Sequence, residues 1–360
     1  MWMSRVVVFL SALALVWALY NHAAKEPQYF YRFFIFLTIP SIIATLWLPM
    51  NWLFQLRYSP FLLVGLFFLL ETVFQPTALG KGFVVASLGW LAIYLTLSLT
   101  MKQERIMKKI LFFLVLLGGA EALVGLSQSI GYDSLAKGTF TNRNHFSGFL
   151  NMTIPLAIGG LYATYASLKE RLRSENYARA WVILLSCTFM CLGVLLSLSR
   201  GGTIVLLLTL MLIAALLTLK RQRSRKGTMS STAIWILLFL TLAVGAWVGM
   251  DALITRFAII DEAENQRMVV YKDTLKLIKD HALVGVGPGM YQWRFRPYQT
   301  ADAAGWWKQA HNDYLQSFAE WGVVLALLFW AFVVWRFLTL IRSFFREKDP
   351  WRQGIALGCG

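Results

Sequence analysis

The sequence predicts an all-α polytopic membrane protein, and three observations lead there. Of its 360 residues 58% are hydrophobic and only 14% charged, against roughly 25% charged in a soluble domain. The apolar residues form unbroken runs of about 20, enough for a helix to cross about 30 Å of hydrocarbon. Short alternating strands of the kind that build membrane barrels do not occur.

About ten spans can be read in order, at 4–20, 33–50, 60–74, 82–100, 110–130, 145–166, 180–198, 203–219, 232–250 and 321–341. The first has Arg5 and an apolar run but no small-x-small cleavage site before Asn21, so it reads as a membrane helix, not a cleaved leader. The third is short and carries Glu71. The run GIALGCG (354–360) is expected to open an eleventh helix that is cut short. Taken as one helix, 181–219 would run about 58 Å, nearly twice the hydrocarbon thickness, so the chain must turn within it. The only turn chemistry there is SRGG (199–202), where Gly201 and Gly202 are expected to take left-handed angles and hold Arg200 at the mouth of two helices.

The basic stretches KQERIMKK, KERLRSENYAR, KRQRSRKG and RSFFREKDPWR fall on one face when the spans alternate from a cytoplasmic N-terminus. They outnumber the Lys and Arg of the short loops opposite, so their face reads as cytoplasmic. The one long loop, 251–320, then lies outside. Within it NQRMVVYKDTLKLIKDH (265–281) reads as a helix with an apolar stripe of Met268, Tyr271, Leu275 and Ile278, and GVGPG (285–289) ends it in a turn. The organisation expected is N-terminal helices over 1–137, a membrane core over 138–250, the outer loop 251–320 and C-terminal helices over 321–360.

The net charge of +16 does not point to nucleic acid, because the cations sit in clusters between spans where membrane orientation accounts for them. Cys187 and Cys191 lie i, i+4 within one span and Cys359 in another, with no histidine or carboxylate near them, which reads as packing and neither a disulfide nor a metal site. Scattered outer acids likewise suggest no metal and no cofactor.

Candidate chemistry gathers on the outer face. Arg200 can snorkel to headgroups, or its planar fork can hold a phosphate or carboxylate, as its costly place in a short outer turn suggests. Arg267 can pair with Asp261, Glu262 or Glu264 upstream, or bind an anion. In AHNDYLQSFAEWG (310–322), Asn312 or Asp313 can cap the last long helix, with His311 a bystander or a proton acceptor suited to neutral pH. In GTFTNRNHFSGFL (138–150), Asn142 or Asn144 can cap a helix, or Asn142, Asn144 and His145 can meet sugar hydroxyls. Trp293, Trp306 and Trp307 fit an interfacial belt or a sugar-stacking surface. Glu71 and Glu121 are intramembrane acids that either pair with neighbours or carry function.

GTFTNRNHFSGFL, LSLSRGG (196–202), QRMVVYKDTLKLIKDHALVGVGPGMY (266–291) and AHNDYLQSFAEWG, in that order, resemble the O-antigen ligase and polymerase superfamily of bacterial membrane glycosyltransferases over roughly 138–345. The first 130 residues match only as a helix count. The resemblance implies the membrane-embedded glycosyltransferase fold with one large periplasmic loop, in the bacterial inner membrane. Chemistry adds the expectation of a metal-independent, inverting enzyme of lipopolysaccharide biosynthesis, because two guanidinium groups can stabilise a leaving diphosphate without a metal and a single displacement with His311 as general base would invert the anomeric centre. The donor would be a glycan on undecaprenyl diphosphate and the acceptor lipid A-core, with a growing glycan (a polymerase) or a protein hydroxyl (an oligosaccharyltransferase) as alternatives. The resemblance would assign the diphosphate to Arg200 and Arg267 and catalysis to His311, with Asn142, Asn144, His145, Asn312 and Tyr314 available to substrate. From another class, a lipid-glycan flippase would use Glu71 and Glu121 instead.

Overall fold

In a computed structural model the described residues are 104–131, 135–170, 174–223, 262–300 and 305–359. Spans one to four, the span at 232–250 and Glu71 lie outside them. The described helices are α1 (Glu104–Gly131), α2 (Arg143–Glu170), α3 (Ser174–Leu196), α4 (Arg200–Arg223), α5 (Glu262–Asp280), α6 (Tyr291–Arg294), α7 (Asp313–Arg346) and α8 (Pro350–Cys359). No strand occurs among the described residues. α1, α2, α3, α4 and α7 are each long and apolar enough to cross a membrane. They coincide with the expected spans at 110–130, 145–166, 180–198, 203–219 and 321–341, and the chain is an all-α polytopic membrane protein.

The chain divides into two compact units. One holds α1–α4 and the chain from Arg336 onward, including α8. Its core is built from Val115, Phe146, Leu150, Ile154, Met190 and Leu206, all fully buried. Cys187 and Cys191 belong to this core as free thiols, as the packing reading expects. α2 and α8 meet backbone to backbone, since a side chain on Gly159 would run into the main chain of Gly354; small residues allow such close approach between membrane helices. Tyr162 donates to Gln353 across 2.8 Å, and the buried Lys220 at the end of α4 donates to the Phe344 carbonyl while lying 4.1 Å from that ring's centre.

The turn between α3 and α4 differs from expectation. Leu198, with φ 49°, supplies the left-handed residue, while Gly201 and Gly202 are already helical within α4. Polar capping makes this possible. Ser199 starts α4 by accepting the Gly202 N–H on its hydroxyl (3.2 Å), and Ser197 Oγ takes the Ser199 N–H (3.2 Å). Gly202 is required for space, because a β-carbon there would stand 2.5 Å from Ser147 Oγ.

The second unit holds α5, α6 and α7 as far as Trp335. α5 is the helix expected at 265–281, but its buried face is Val270, Asp273, Thr274 and Leu277, and Met268 and Leu275 are more than half exposed. The apolar stripe misleads because two polar residues on the other stripe have partners inside. Asp273 accepts both the N–H and the hydroxyl of Thr300 at 2.9 Å, and Thr274 shares a 2.6 Å hydrogen bond with the Tyr291 hydroxyl. Tyr291 stacks on Phe295 with centroids 4.9 Å apart. GVGPG forms the expected turn, with Gly285, Gly287 and Gly289 all at positive φ.

α7 is broken at Gly322 (φ 76°, ψ 166°). A break frees carbonyls on one side and N–H groups on the other, and buried orphans of this kind need partners. The segment after α5, from Ala282 through the GVGPG turn, supplies them. Val286 and Gly287 donate to the carbonyls of Ala319 and Glu320 (2.9 and 3.0 Å), and the Ala282 carbonyl accepts from Val323 (2.7 Å).

Candidate functional site

The expected site residues fall into two groups, one per unit. In the unit of α1–α4, the N-termini of α2 and α4 are tied together. Asn142 caps α2 by accepting the Asn144 N–H on its side-chain oxygen (2.8 Å). Asn144 in turn accepts the Ser199 hydroxyl (2.9 Å), and Asn151 donates to the Gly202 carbonyl (2.9 Å). Asn142 and Asn144 thus have structural work at their carboxamide oxygens, and His145 is exposed in the first turn of α2. Arg200 is the half-buried first residue of α4. Neither helix has an acidic residue in its first turn, so two positive helix ends and a guanidinium favour anions here.

The loop that leads into α2 is held from α1. Glu121, buried, accepts the Thr139 N–H (3.0 Å) and hydroxyl (2.8 Å). Further along α1, Gln128 donates to the Gly138 carbonyl (2.8 Å) and accepts the Lys137 N–H (3.1 Å). The intramembrane acid Glu121 therefore pairs with a loop threonine, a partner that sequence reading did not foresee.

In the other unit His311 sits between α6 and α7 with φ 53°, a left-handed angle uncommon outside glycine. Its carbonyl accepts the Tyr271 hydroxyl at 3.1 Å. The edge-to-face Trp307 ring lies 5.5 Å from the imidazole, centre to centre. Partial burial, and after it the positive charge of Arg267 on α5, hold the imidazole pKa below its usual value, so the ring is neutral near pH 7. Arg267 is half-buried. The next residue after the histidine, Asn312, caps α7 by accepting the N–H groups of Tyr314 (3.1 Å) and Leu315 (3.2 Å). Tyr314 is exposed, with its ring 4.5 Å from Trp330.

A relay that the sequence reading missed fixes the residue before the histidine. The buried Glu320 accepts the Gly289 N–H (3.0 Å) and the Gln316 side-chain amide (3.1 Å), and Gln316 Oε1 accepts the Ala310 N–H (3.1 Å). The i, i+4 spacing of Gln316 and Glu320 was the available signal. Asp273 is the other missed anchor. Its burial is outweighed by its hydrogen bonds to Lys276 and Thr300, and its carboxyl stays below the usual range.

Residues 183–330 match the family model described as O-Antigen ligase. No curated protein and no solved structure matches the chain. The matched stretch runs from within α3 through Arg200, Arg267 and His311 to beyond the Gly322 break. That segment, less than half of the chain, is similar to the O-antigen ligase-like superfamily.

Proposed function

We propose that the protein moves a glycan from undecaprenyl diphosphate to an acceptor hydroxyl at the periplasmic face of the bacterial inner membrane, with lipid A-core as the acceptor. The observation that carries this reading is the placement of His311 at a left-handed position just ahead of the Asn312 cap of α7, under the positive charge of Arg267. The cation helps to keep the imidazole unprotonated, and an unprotonated imidazole can accept a proton at neutral pH.

In the proposed step the acceptor hydroxyl gives its proton to the free nitrogen of His311 while its oxygen bonds to the anomeric carbon. The bond from that carbon to the diphosphate oxygen breaks, and the electron pair leaves with undecaprenyl diphosphate. One displacement inverts the anomeric centre. Arg200 and Arg267 oppose the charge growing on the leaving group, for which guanidinium forks are suited.

The test is transfer by the reconstituted full chain from lipid-linked glycan to lipid A-core, with the product identified by mass. Loss of transfer in His311→Ala with donor binding retained supports the reading. Transfer at the wild-type rate removes His311 from the chemistry. A lengthened lipid-linked glycan or a modified protein would instead make the enzyme a polymerase or an oligosaccharyltransferase.

A further inference from the structure

At the opposite end of the α1–α4 unit from Asn142 and Arg200, where α1 and α3 begin and α2 ends, lies a cavity of about 360 Å³. That size falls within the range of small-molecule sites. Its cations come from two helices, Arg105, Lys108 and Lys109 from α1 and Arg179 from α3. No carboxylate is among the described residues that line it. Arg105, Lys109 and Arg179 are exposed at the mouth, and Lys108 is half-buried, its ammonium 4.6 Å from the centre of the Trp351 ring of α8.

The interior is different in kind. Leu111 and Ile183 are buried in the floor and Phe112 is half-buried beside them. Thr164 of α2 adds a buried hydroxyl whose proton goes to the Gly160 carbonyl of its own helix (2.8 Å). A cationic mouth over an apolar floor matches a molecule that is anionic at its head and apolar directly behind it. Soluble phosphate would use only the mouth. Helices long enough to span a membrane enclose the cavity, which brings its mouth to headgroup level.

We propose that this cavity binds the phosphate headgroup of an anionic phospholipid, with the glycerol and first acyl carbons against Leu111, Phe112 and Ile183. Basic pockets between membrane helices suit such headgroups, and each juxtamembrane cation adds to their capture. The site is separate from the transfer chemistry proposed above, and its test does not use that reaction.

The test is lipid retention by the purified full chain, exchanged into nanodiscs of phosphatidylcholine with a minor fraction of phosphatidylglycerol and read by native mass spectrometry. Wild type is expected to retain phosphatidylglycerol over phosphatidylcholine by at least about tenfold. The triple variant Arg105→Gln, Lys108→Gln, Lys109→Gln should lose that preference, and Arg342→Gln, a cation of α7 outside the cavity, should keep it. Lys108→Arg, which preserves the charge, should also keep it. Absence of a preference in wild type overturns the proposal whether or not the variants fold. Equal loss in Arg342→Gln and the triple variant overturns it as well, because general surface charge would then suffice. Displacement of the lipid by millimolar inorganic phosphate would overturn the lipid assignment in favour of a soluble anion.

Discussion

A β-carbon on Gly285 would stand 2.6 Å from the amide nitrogen of Gly322, and one on Gly322 would stand 2.5 Å from the carbonyl oxygen of Leu283. The turn after α5 and the break in α7 are thus in backbone contact, and both glycines sit at positive φ, 71° and 76°. The contact lets the turn's N–H groups complete the broken helix, and it sets the direction in which α7 leaves the segment that carries His311.

Gly285→Ala and Gly322→Ala should each destabilise the protein by about 2 kcal/mol or more, from left-handed strain plus forced separation of two main chains. Gly201→Ala is the control. Gly201 is helical and nothing lies within 4 Å of its added β-carbon, so that variant should be neutral or slightly stabilised. Thermal unfolding in detergent checks all three. A destabilised Gly201→Ala would restore the left-handed turn expected from the sequence.

The relay from Gly289 through Glu320 and Gln316 to Ala310 has a fixed order of donors and acceptors. In Glu320→Gln the new amide oxygen can still accept from Gly289, but its NH₂ then faces the NH₂ of Gln316. Turning Gln316 around only sets that NH₂ against the Ala310 N–H. One buried polar group is left unpaired, at a cost of about 1–3 kcal/mol. Adding Gln316→Glu should recover most of the loss, because a carboxylate at position 316 accepts both from Ala310 and from the new amide at position 320. A double-mutant cycle in unfolding free energy measures this coupling, and purely additive losses would show that the relay is not what holds Ala310.

Glu121 separates the enzyme reading from the flippase reading. Its carboxylate accepts two bonds from Thr139, and the threonine hydroxyl can rotate to accept from an amide in place of donating. Glu121→Gln should therefore keep stability and transfer close to wild type, whereas Glu121→Ala leaves Thr139 without a partner and should cost about 1–3 kcal/mol. A proton carrier could not tolerate the glutamine. Abolished function in a stable Glu121→Gln protein would favour translocation.

Helices were legible wherever apolar length decided them, as at 110–130 and 203–219, because hydrocarbon thickness is a constraint that sequence displays directly. The Ser199 cap and the Asn312 cap were also within reach, since side-chain oxygens at helix starts have few other uses. What escaped were positions where polar groups point inward. Asp273 and Thr274 lie off the apolar stripe of α5, yet both are buried with Thr300 and Tyr291 as partners, and no spacing rule links residues 17 or 27 apart. The glycines were misread in the same way. SRGG looks like a turn, yet Leu198 turns the chain and Gly202 provides clearance, a distinction set by Ser147 on another helix.

The pH dependence of transfer tests the electrostatic role of Arg267 apart from donor binding. A general base must be unprotonated, so activity should fall on the acid side through the pKa of His311. That value is held below the ordinary 6.5 by burial first and Arg267 second. Wild-type kcat/KM should therefore stay high to below pH 6.5 before it declines. Arg267→Gln removes one of the two lowering causes, so its acid limb should move to higher pH as well as losing height, and Arg267→Lys should restore the position of the limb but not its height. Stability carries the same sign. A histidine whose folded pKa is depressed contributes fully above its unfolded pKa, and that contribution is lost as pH falls toward the folded value. His311→Ala should accordingly flatten the stability profile below pH 6.5. A limb that stays in place in Arg267→Gln would mean that the guanidinium does not act on the imidazole, and would leave Arg267 with the donor alone.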